Sequence, residues 1–145
     1  MKIKNYFLII FLTIFFDSFV FAKSTKILVK IENEIITNFD VQNKIISSLI
    51  LAKKEINQAN INNFKKASLE NLIQSRLKKI ELKKYNFKKD KKQINSYLNS
   101  ISSNNIGNLK DVFKSYNLDF KEFTDEIDVE FRWRKFIYQM YKKKN

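Results

Sequence analysis

Residues 26–40, with the sequence KILVKIENEIITNFD, constrain the fold of this chain more than any other segment. Apolar side chains alternate along the first five positions after Lys26, which predicts a half-buried β-strand. A turn follows over residues 32–34, and we expect the left-handed backbone at Asn33, because asparagine tolerates it best. After a second short strand, Thr37 and Asp40 have the spacing of a capped helix start. The segment therefore predicts a β-hairpin that leads directly into a helix.

The first 22 residues have the pattern of a secretory signal peptide. Lys2 and Lys4 form a basic start, residues 6–16 are almost entirely apolar, and Ala22 ends a motif that signal peptidases read. The apolar run is shorter than the roughly 20 residues that cross a bilayer, and an uncleaved anchor is the alternative. The chain has no cysteine, which excludes a lipoprotein anchor and suits an oxidising compartment. We predict cleavage after Ala22, export to the periplasm, and one domain over residues 23–145.

The formal net charge of +13 raises the question of a nucleic-acid ligand. All but three of the 28 basic residues are lysine, whereas readers of nucleic acid favour arginine for its planar fork. Lysine is used together with asparagine, isoleucine, phenylalanine and tyrosine, whose codons are rich in A and T. We therefore predict a solvated basic surface and no nucleic-acid partner, with at most weak contact to an anionic membrane surface.

The rest of the chain predicts five helices, recognised by apolar residues at helical spacing and by capping residues. The predicted boundaries are a helix over 38–55, a loop over 57–63, a helix from 62 or 63 to about 87, a helix over 90–102, a break over 102–107, a short helix over 109–116 and a last helix from 119 to about 141. Asn86 and Asn117 are predicted to be left-handed helix caps. The residues expected to face inward on the first two helices are Val41, Ile45, Leu49 and Ala52, then Phe64, Leu69, Leu72, Ile73, Leu77 and Ile80. The fold class is therefore mainly α with one short N-terminal β-hairpin.

Catalytic chemistry has few candidate residues in this chain. Histidine and cysteine are absent and glycine occurs once, so the usual bases, nucleophiles, metal ligands and phosphate loops are missing. Four carboxylates on the last helix are either a metal or acid–base site or a solvated face paired with Lys121, Arg132 and Arg134, and we favour the solvated face. They are Asp125, Glu126, Asp128 and Glu130. We predict a protein that is not an enzyme and that uses no cofactor, metal or ATP.

Three segments resemble the N-terminal chaperone domain of SurA-like periplasmic proteins. The first is the hairpin and its step into the helix, at Ile36, Thr37 and Asp40. The other two are approximated by Leu69, Leu72, Ile73, Leu77, Glu81, Asn86 and Phe87, and by Asn117, Leu118, Phe123, Ile127 and Phe131. The resemblance implies an ATP-independent holdase that binds unfolded outer-membrane or secreted proteins and assists outer-membrane protein assembly.

SurA-like proteins usually carry parvulin-type prolyl isomerase domains after this module, and a C-terminal segment that packs back on it. We expect neither here. The surface for that segment is then exposed, filled by the last helix, or covered by a second copy or by the C-terminal segment of another protein. The alternative function is a non-catalytic structural or assembly subunit with one fixed partner, such as a separately encoded prolyl isomerase.

Aromatic residues concentrate in the last third of the chain and form two apolar stripes on the last helix. Both stripes are either core, or they form a groove for apolar client segments, for which aromatic side chains are well suited. The candidate client-binding residues are Phe113, Tyr116, Phe120, Phe123, Phe131, Trp133, Phe136, Ile137 and Met140, with Arg132, Arg134 and Lys135 at the rim.

Overall fold

A computed structural model describes residues 24–103 and 108–142. This part of the chain is mainly helical with one antiparallel hairpin, which confirms the predicted fold class. The elements are β1 Ile27–Ile31, β2 Glu34–Thr37, α1 Asn38–Leu51, α2 Gln58–Lys83, α3 Lys91–Ile101, α4 Leu109–Ser115 and α5 Phe120–Lys142. The predicted signal peptide with its cleavage site, and residues 104–107 of the predicted break, lie outside the described residues. None of the helices in the described ranges combines the length and apolar character that crossing a bilayer demands.

The hairpin is built around Ile36, which is completely buried and pairs with Val29 across the two strands. Its turn corrects one expectation, since Glu32 and not Asn33 has the left-handed backbone, with φ 50°. In two-residue hairpin loops, a positive φ at the first central residue gives a turn whose twist matches that of the strands. The twist of the two strands therefore determines the backbone conformation of this turn, and the preference of asparagine for a left-handed backbone does not.

The start of α1 follows the prediction. Thr37 Oγ1 accepts a hydrogen bond from the backbone N–H of Asp40 at 3.2 Å, and Asp40 Oδ2 accepts one from the backbone N–H of Thr37 at 2.7 Å. The helix ends at Leu51, earlier than predicted, because Lys53 adopts φ 53° and its N–H donates to the carbonyl of Ile50 at 3.0 Å. Ala52, expected to face inward, is consequently an exposed cap residue.

The predicted loop over residues 57–63 is wrong, because α2 already begins at Gln58. Asn57 caps it by accepting a hydrogen bond from the backbone N–H of Asn60 at 3.0 Å. The other asparagines of this stretch lie on the first helical turns, where Asn62 accepts from Gln58 Nε2 at 2.9 Å. Asparagine at a helix start supplies caps and hydrogen bonds between neighbouring turns, so a run of it does not require a loop.

Buried residues of the described ranges form two apolar clusters. The first joins the hairpin, α1 and α2 through Ile36, Val41, Ile45, Leu49 and Leu72. The second joins the end of α2 to α5 through Leu82, Val129 and Phe136. The inward row of α2 includes Arg76, so that Leu77, which was predicted to face inward, is 44% exposed. The long helix α2 is thus the element shared by both clusters.

The remaining helix ends divide between confirmed and corrected predictions. Asn117 has φ 53°, as predicted, and the N–H of Leu118 donates back to the carbonyl of Phe113 at 2.9 Å. Asn86 has no such conformation, because α2 ends at Lys83 and the chain turns while Tyr85 packs on the Phe136 ring, with centroids 4.6 Å apart. Packing on an aromatic ring therefore replaces a left-handed cap at this end.

Candidate functional site

Ion pairs, several of them buried, position α5 against the rest of the domain. Arg76 on α2 is only 7% exposed and its guanidinium donates to Glu122 on α5 at 2.6 Å. The same guanidinium lies 4.0 Å from Glu34 on β2. Lys44 on α1 and Lys78 on α2 each bind a further α5 carboxylate, Glu126 and Glu130 respectively. These contacts fix which face of α5 points inward.

The acidic face of α5 therefore corrects the prediction of a solvated helix face. Asp128 is 1% exposed and Glu126 is also buried. Two of the predicted cations do pair with this face, Arg132 with Asp128 at 2.6 Å and Lys121 with Asp125 at 2.9 Å. Lys89, from the turn between α2 and α3, adds contacts to Asp125 and Asp128. Glu126 and Asp128 tolerate burial because Lys44, Lys89 and Arg132 pair with them.

Burial raises the pKa of the Glu126 carboxyl above its ordinary value of 4.5, and the charge and hydrogen bond of Lys44 offset this only in part. Glu122 raises the pKa further and Arg76 lowers it. Burial alone would raise the pKa of the Asp125 carboxyl. Hydrogen bonds from Lys89 and Lys121 outweigh burial, so the pKa lies below its ordinary value of 3.8. Two carboxyl groups on one helix thus shift in opposite directions.

The Glu126→Gln variant is expected to gain stability relative to the wild type as the pH rises from below 4.5, the ordinary pKa of a glutamate, through the raised pKa of Glu126. The folded state holds the Glu126 proton more strongly than the unfolded chain does, so its favourable contribution is lost as the pH rises through the folded pKa. Urea unfolding of both proteins across this range measures the difference. Asp125→Asn is the control of opposite sign, because the stabilisation from Asp125 is lost as the pH falls through its lowered pKa. A pH-independent difference for Glu126→Gln would contradict the account.

The predicted client-binding residues do not share one surface. Phe113 on α4 is buried and contacts two rings at the start of α5, Phe120 with centroids 5.4 Å apart and Phe123 at 4.8 Å. Further along α5, Trp133, Phe136 and Ile137 pack in the second apolar cluster with Leu82. Tyr116, the residue that caps the end of α4, and Met140, near the end of α5, are exposed. Most of these predicted client-binding residues are therefore used in internal packing.

Three of the predicted site residues, Phe123, Phe131 and Arg134, do come together in a cleft of about 230 Å³ between α1, α3 and α5. We call it the three-helix cleft. Its full lining is Lys44, Leu51, Tyr97, Phe123, Glu126, Ile127, Glu130, Phe131 and Arg134. Five of these residues are apolar or aromatic and four are charged. Of the predicted rim residues, Arg132 is paired with Asp128 and Lys135 is exposed, and neither lines the cleft.

The α3 wall of the cleft is the least tightly packed part of the site. None of the residues of α3 is fully buried, and Ile94, Leu98 and Ile101 are half-buried. Tyr97 stacks edge-on against Phe131, with ring centroids 5.5 Å apart, while remaining 43% exposed. Few buried apolar contacts mean a low local free energy of opening, so α3 is the wall best able to adjust to a ligand.

Tyr97 and Leu51 were missed as site residues by the sequence reasoning. Tyr97 pairs with Phe131 because two helices that are distant in the chain pack together, and the sequence alone does not show such packing. Compared with known proteins, the chain matches no family, no curated protein and no solved structure. The interpretation of the cleft therefore depends on its own geometry and chemistry.

Proposed function

We propose that this protein is a periplasmic, ATP-independent holdase that binds apolar segments of unfolded envelope proteins in the three-helix cleft. The observation that carries the proposal is the cleft itself, with five apolar or aromatic lining residues and a half-exposed aromatic wall at Tyr97. Its volume of about 230 Å³ is below the roughly 300–1,000 Å³ of typical small-molecule pockets. A cleft of this size suits one or two side chains of a longer segment better than a whole small ligand.

The chemistry of the cleft suits clients that share apolar side chains but no common sequence. Aromatic rings bury a large area while losing few torsional degrees of freedom, and apolar burial contributes about 25 cal/mol per Å² without directional requirements. The lightly packed helix α3 can adjust to different segments. Binding of this kind is weak and reversible, so clients are released without ATP. The resemblance to SurA-like chaperones supports the same class of client.

Export to the periplasm is part of the proposal and has its own test. The basic, apolar and small-residue pattern of residues 1–22 supports cleavage after Ala22. When the full chain is expressed in a Gram-negative host, we expect the protein in the periplasmic extract to begin at Lys23. Intact-mass measurement of that fraction distinguishes the outcomes, and a protein that keeps residues 1–22 and stays with the inner membrane would contradict export with cleavage.

A second candidate function is a structural or assembly subunit with one fixed partner. It is favoured by exposed apolar side chains on the hairpin, Ile27, Leu28 and Ile35. An exposed strand edge with apolar neighbours is a common docking element for another chain. A fixed partner would bind with high selectivity, whereas a holdase should act on several unrelated unfolded proteins.

The holdase is tested by light scattering from several unrelated unfolded outer-membrane proteins diluted out of urea. We expect the purified protein to suppress aggregation of all of them, and Tyr97→Ala to need several-fold more protein for the same effect, because it removes about one aromatic contact from the cleft. Tyr138→Ala is the matched control, since Tyr138 is 66% exposed on α5 and does not line the cleft. Failure with every client would rule out the holdase and leave the fixed-partner candidate.

A further inference from the structure

The lining of the three-helix cleft carries two cations and two carboxylates, and both carboxylates are paired with lysines. Glu126 is bound by Lys44, and both line the cleft. Glu130, also in the lining, is bound by Lys78 from outside it. Arg134 is the remaining charged residue of the lining, and within residues 24–103 and 108–142 it makes no ion pair. The cleft therefore presents apolar surface beside one uncompensated guanidinium.

The position of Arg134 on α5 explains why it stays uncompensated. Glu130 precedes it by four residues, which is the spacing at which a helix normally pairs opposite charges. Glu130 instead binds Lys78 of α2. The side chain of Lys78 is 22% exposed, so Lys78 is more enclosed than the exposed Arg134. Phe131 lies three residues before Arg134, so the aromatic ring and the guanidinium share one face of the helix. An occupant in contact with Phe131 has Arg134 within one helical turn.

We propose that the three-helix cleft prefers apolar segments that carry an acidic side chain next to the apolar residues, with Arg134 binding the carboxylate. The preference is built on the proposed holdase function and specifies its client chemistry. A guanidinium presents several N–H donors in a rigid plane and matches a carboxylate in two-point geometry. The formal net charge of +13 acts in the same direction, because it attracts acidic chains before contact. Segments flanked by lysine are disfavoured by the same groups.

The test uses three fluorescent peptides with one apolar core and amidated ends, flanked by glutamate, glutamine or lysine. Fluorescence anisotropy with the purified protein gives the dissociation constant of each. We expect the glutamate peptide to bind roughly two- to fivefold more tightly than the glutamine peptide, as for an exposed ion pair, and the lysine peptide to bind most weakly. The Arg134→Gln variant should bring the glutamate-to-glutamine ratio close to one. Lys142→Gln, which removes an exposed positive charge further along α5, should keep the ratio.

Two results would overturn the preference while leaving the holdase intact. One is equal binding of all three peptides by the wild type. The other is an equal loss of the ratio in Arg134→Gln and Lys142→Gln, which would assign the effect to overall charge. Failure of the glutamine peptide to bind the wild type at all would instead contradict the holdase function, so the two failures are distinguishable.

Discussion

Replacement of Arg76 with alanine is expected to lower the free energy of unfolding by about 3–5 kcal/mol. The guanidinium lies at the junction of α2, α5 and the hairpin, where it binds Glu122 and approaches Glu34. Alanine removes the cation and leaves the carboxylates behind. Glu34 keeps Lys79 and Lys83, whereas Glu122 loses the one ion pair it makes within the described residues. The loss is large compared with the roughly 5–15 kcal/mol that holds a domain folded.

Urea unfolding monitored by circular dichroism measures the effect. Adding Glu122→Gln to Arg76→Ala should recover part of the loss, because the uncompensated charge disappears with it. Lys66→Ala is the control, since the ion pair of Lys66 with Glu70 is 3.9 Å long and highly exposed, and should change stability by about 1 kcal/mol or less. An Arg76→Ala variant as stable as Lys66→Ala would show that the junction does not depend on this charge.

Replacement of Phe113 with alanine is expected to cost about 3–5 kcal/mol, because a large aromatic side chain leaves a cavity. Phe113 is 1% exposed and contacts both Phe120 and Phe123. It is the contact through which α4 holds the start of α5. Thermal or urea unfolding of the variant measures the loss.

Tyr116→Ala is the matched control for Phe113, because it removes an aromatic ring from the residue that caps the same helix. Tyr116 is exposed and should change stability by about 0.5 kcal/mol or less. Comparable losses in both variants would mean that α4 is not packed on α5 as described. Phe113 does not line the cleft, so its replacement should affect client binding through folding and through the packing of Phe123, whereas Tyr97 acts in the cleft itself.

The two strands of the hairpin and the caps at Thr37 and Asn117 were predictable because their causes are local. Thr37 and Asp40 cap α1 through contacts three residues apart, and Asn117 ends α4 in the predicted left-handed conformation. The first helix stripe, Val41, Ile45 and Leu49, is buried as its spacing predicts. Neighbouring residues alone decide such features, so a single sequence contains them.

The buried charges were not predictable, because their partners are far apart in the chain. Lys44 and Glu126 are separated by 82 residues, and Arg76 and Glu122 by 46. A sequence shows charged residues on a helix, and solvation is the ordinary expectation for them. The packing of the helices buries these charges, and it turns Arg76 inward where Leu77 was predicted to face the core.

The cleft was predictable only in part, because its lining combines residues of one helix with residues from distant helices. The aromatic content of α5 indicated where binding surface could lie, and Phe123, Phe131 and Arg134 are in the cleft lining. Which rings stay available depends on which helix covers them. Phe136 is covered by Tyr85 and Phe87, whereas Phe131 contacts Tyr97 of the lightly packed α3.

The central claim is that unfolded clients bind at the three-helix cleft, and site-specific photo-crosslinking tests it most directly. A benzophenone amino acid is placed at Tyr97 in one protein and at Tyr138 in another, and each is irradiated with an unfolded outer-membrane protein. We predict strong crosslinking from position 97, reduced by an excess of an apolar peptide, and weak crosslinking from position 138. Equal crosslinking from both positions, or crosslinking from 97 that the peptide does not reduce, would contradict the claim.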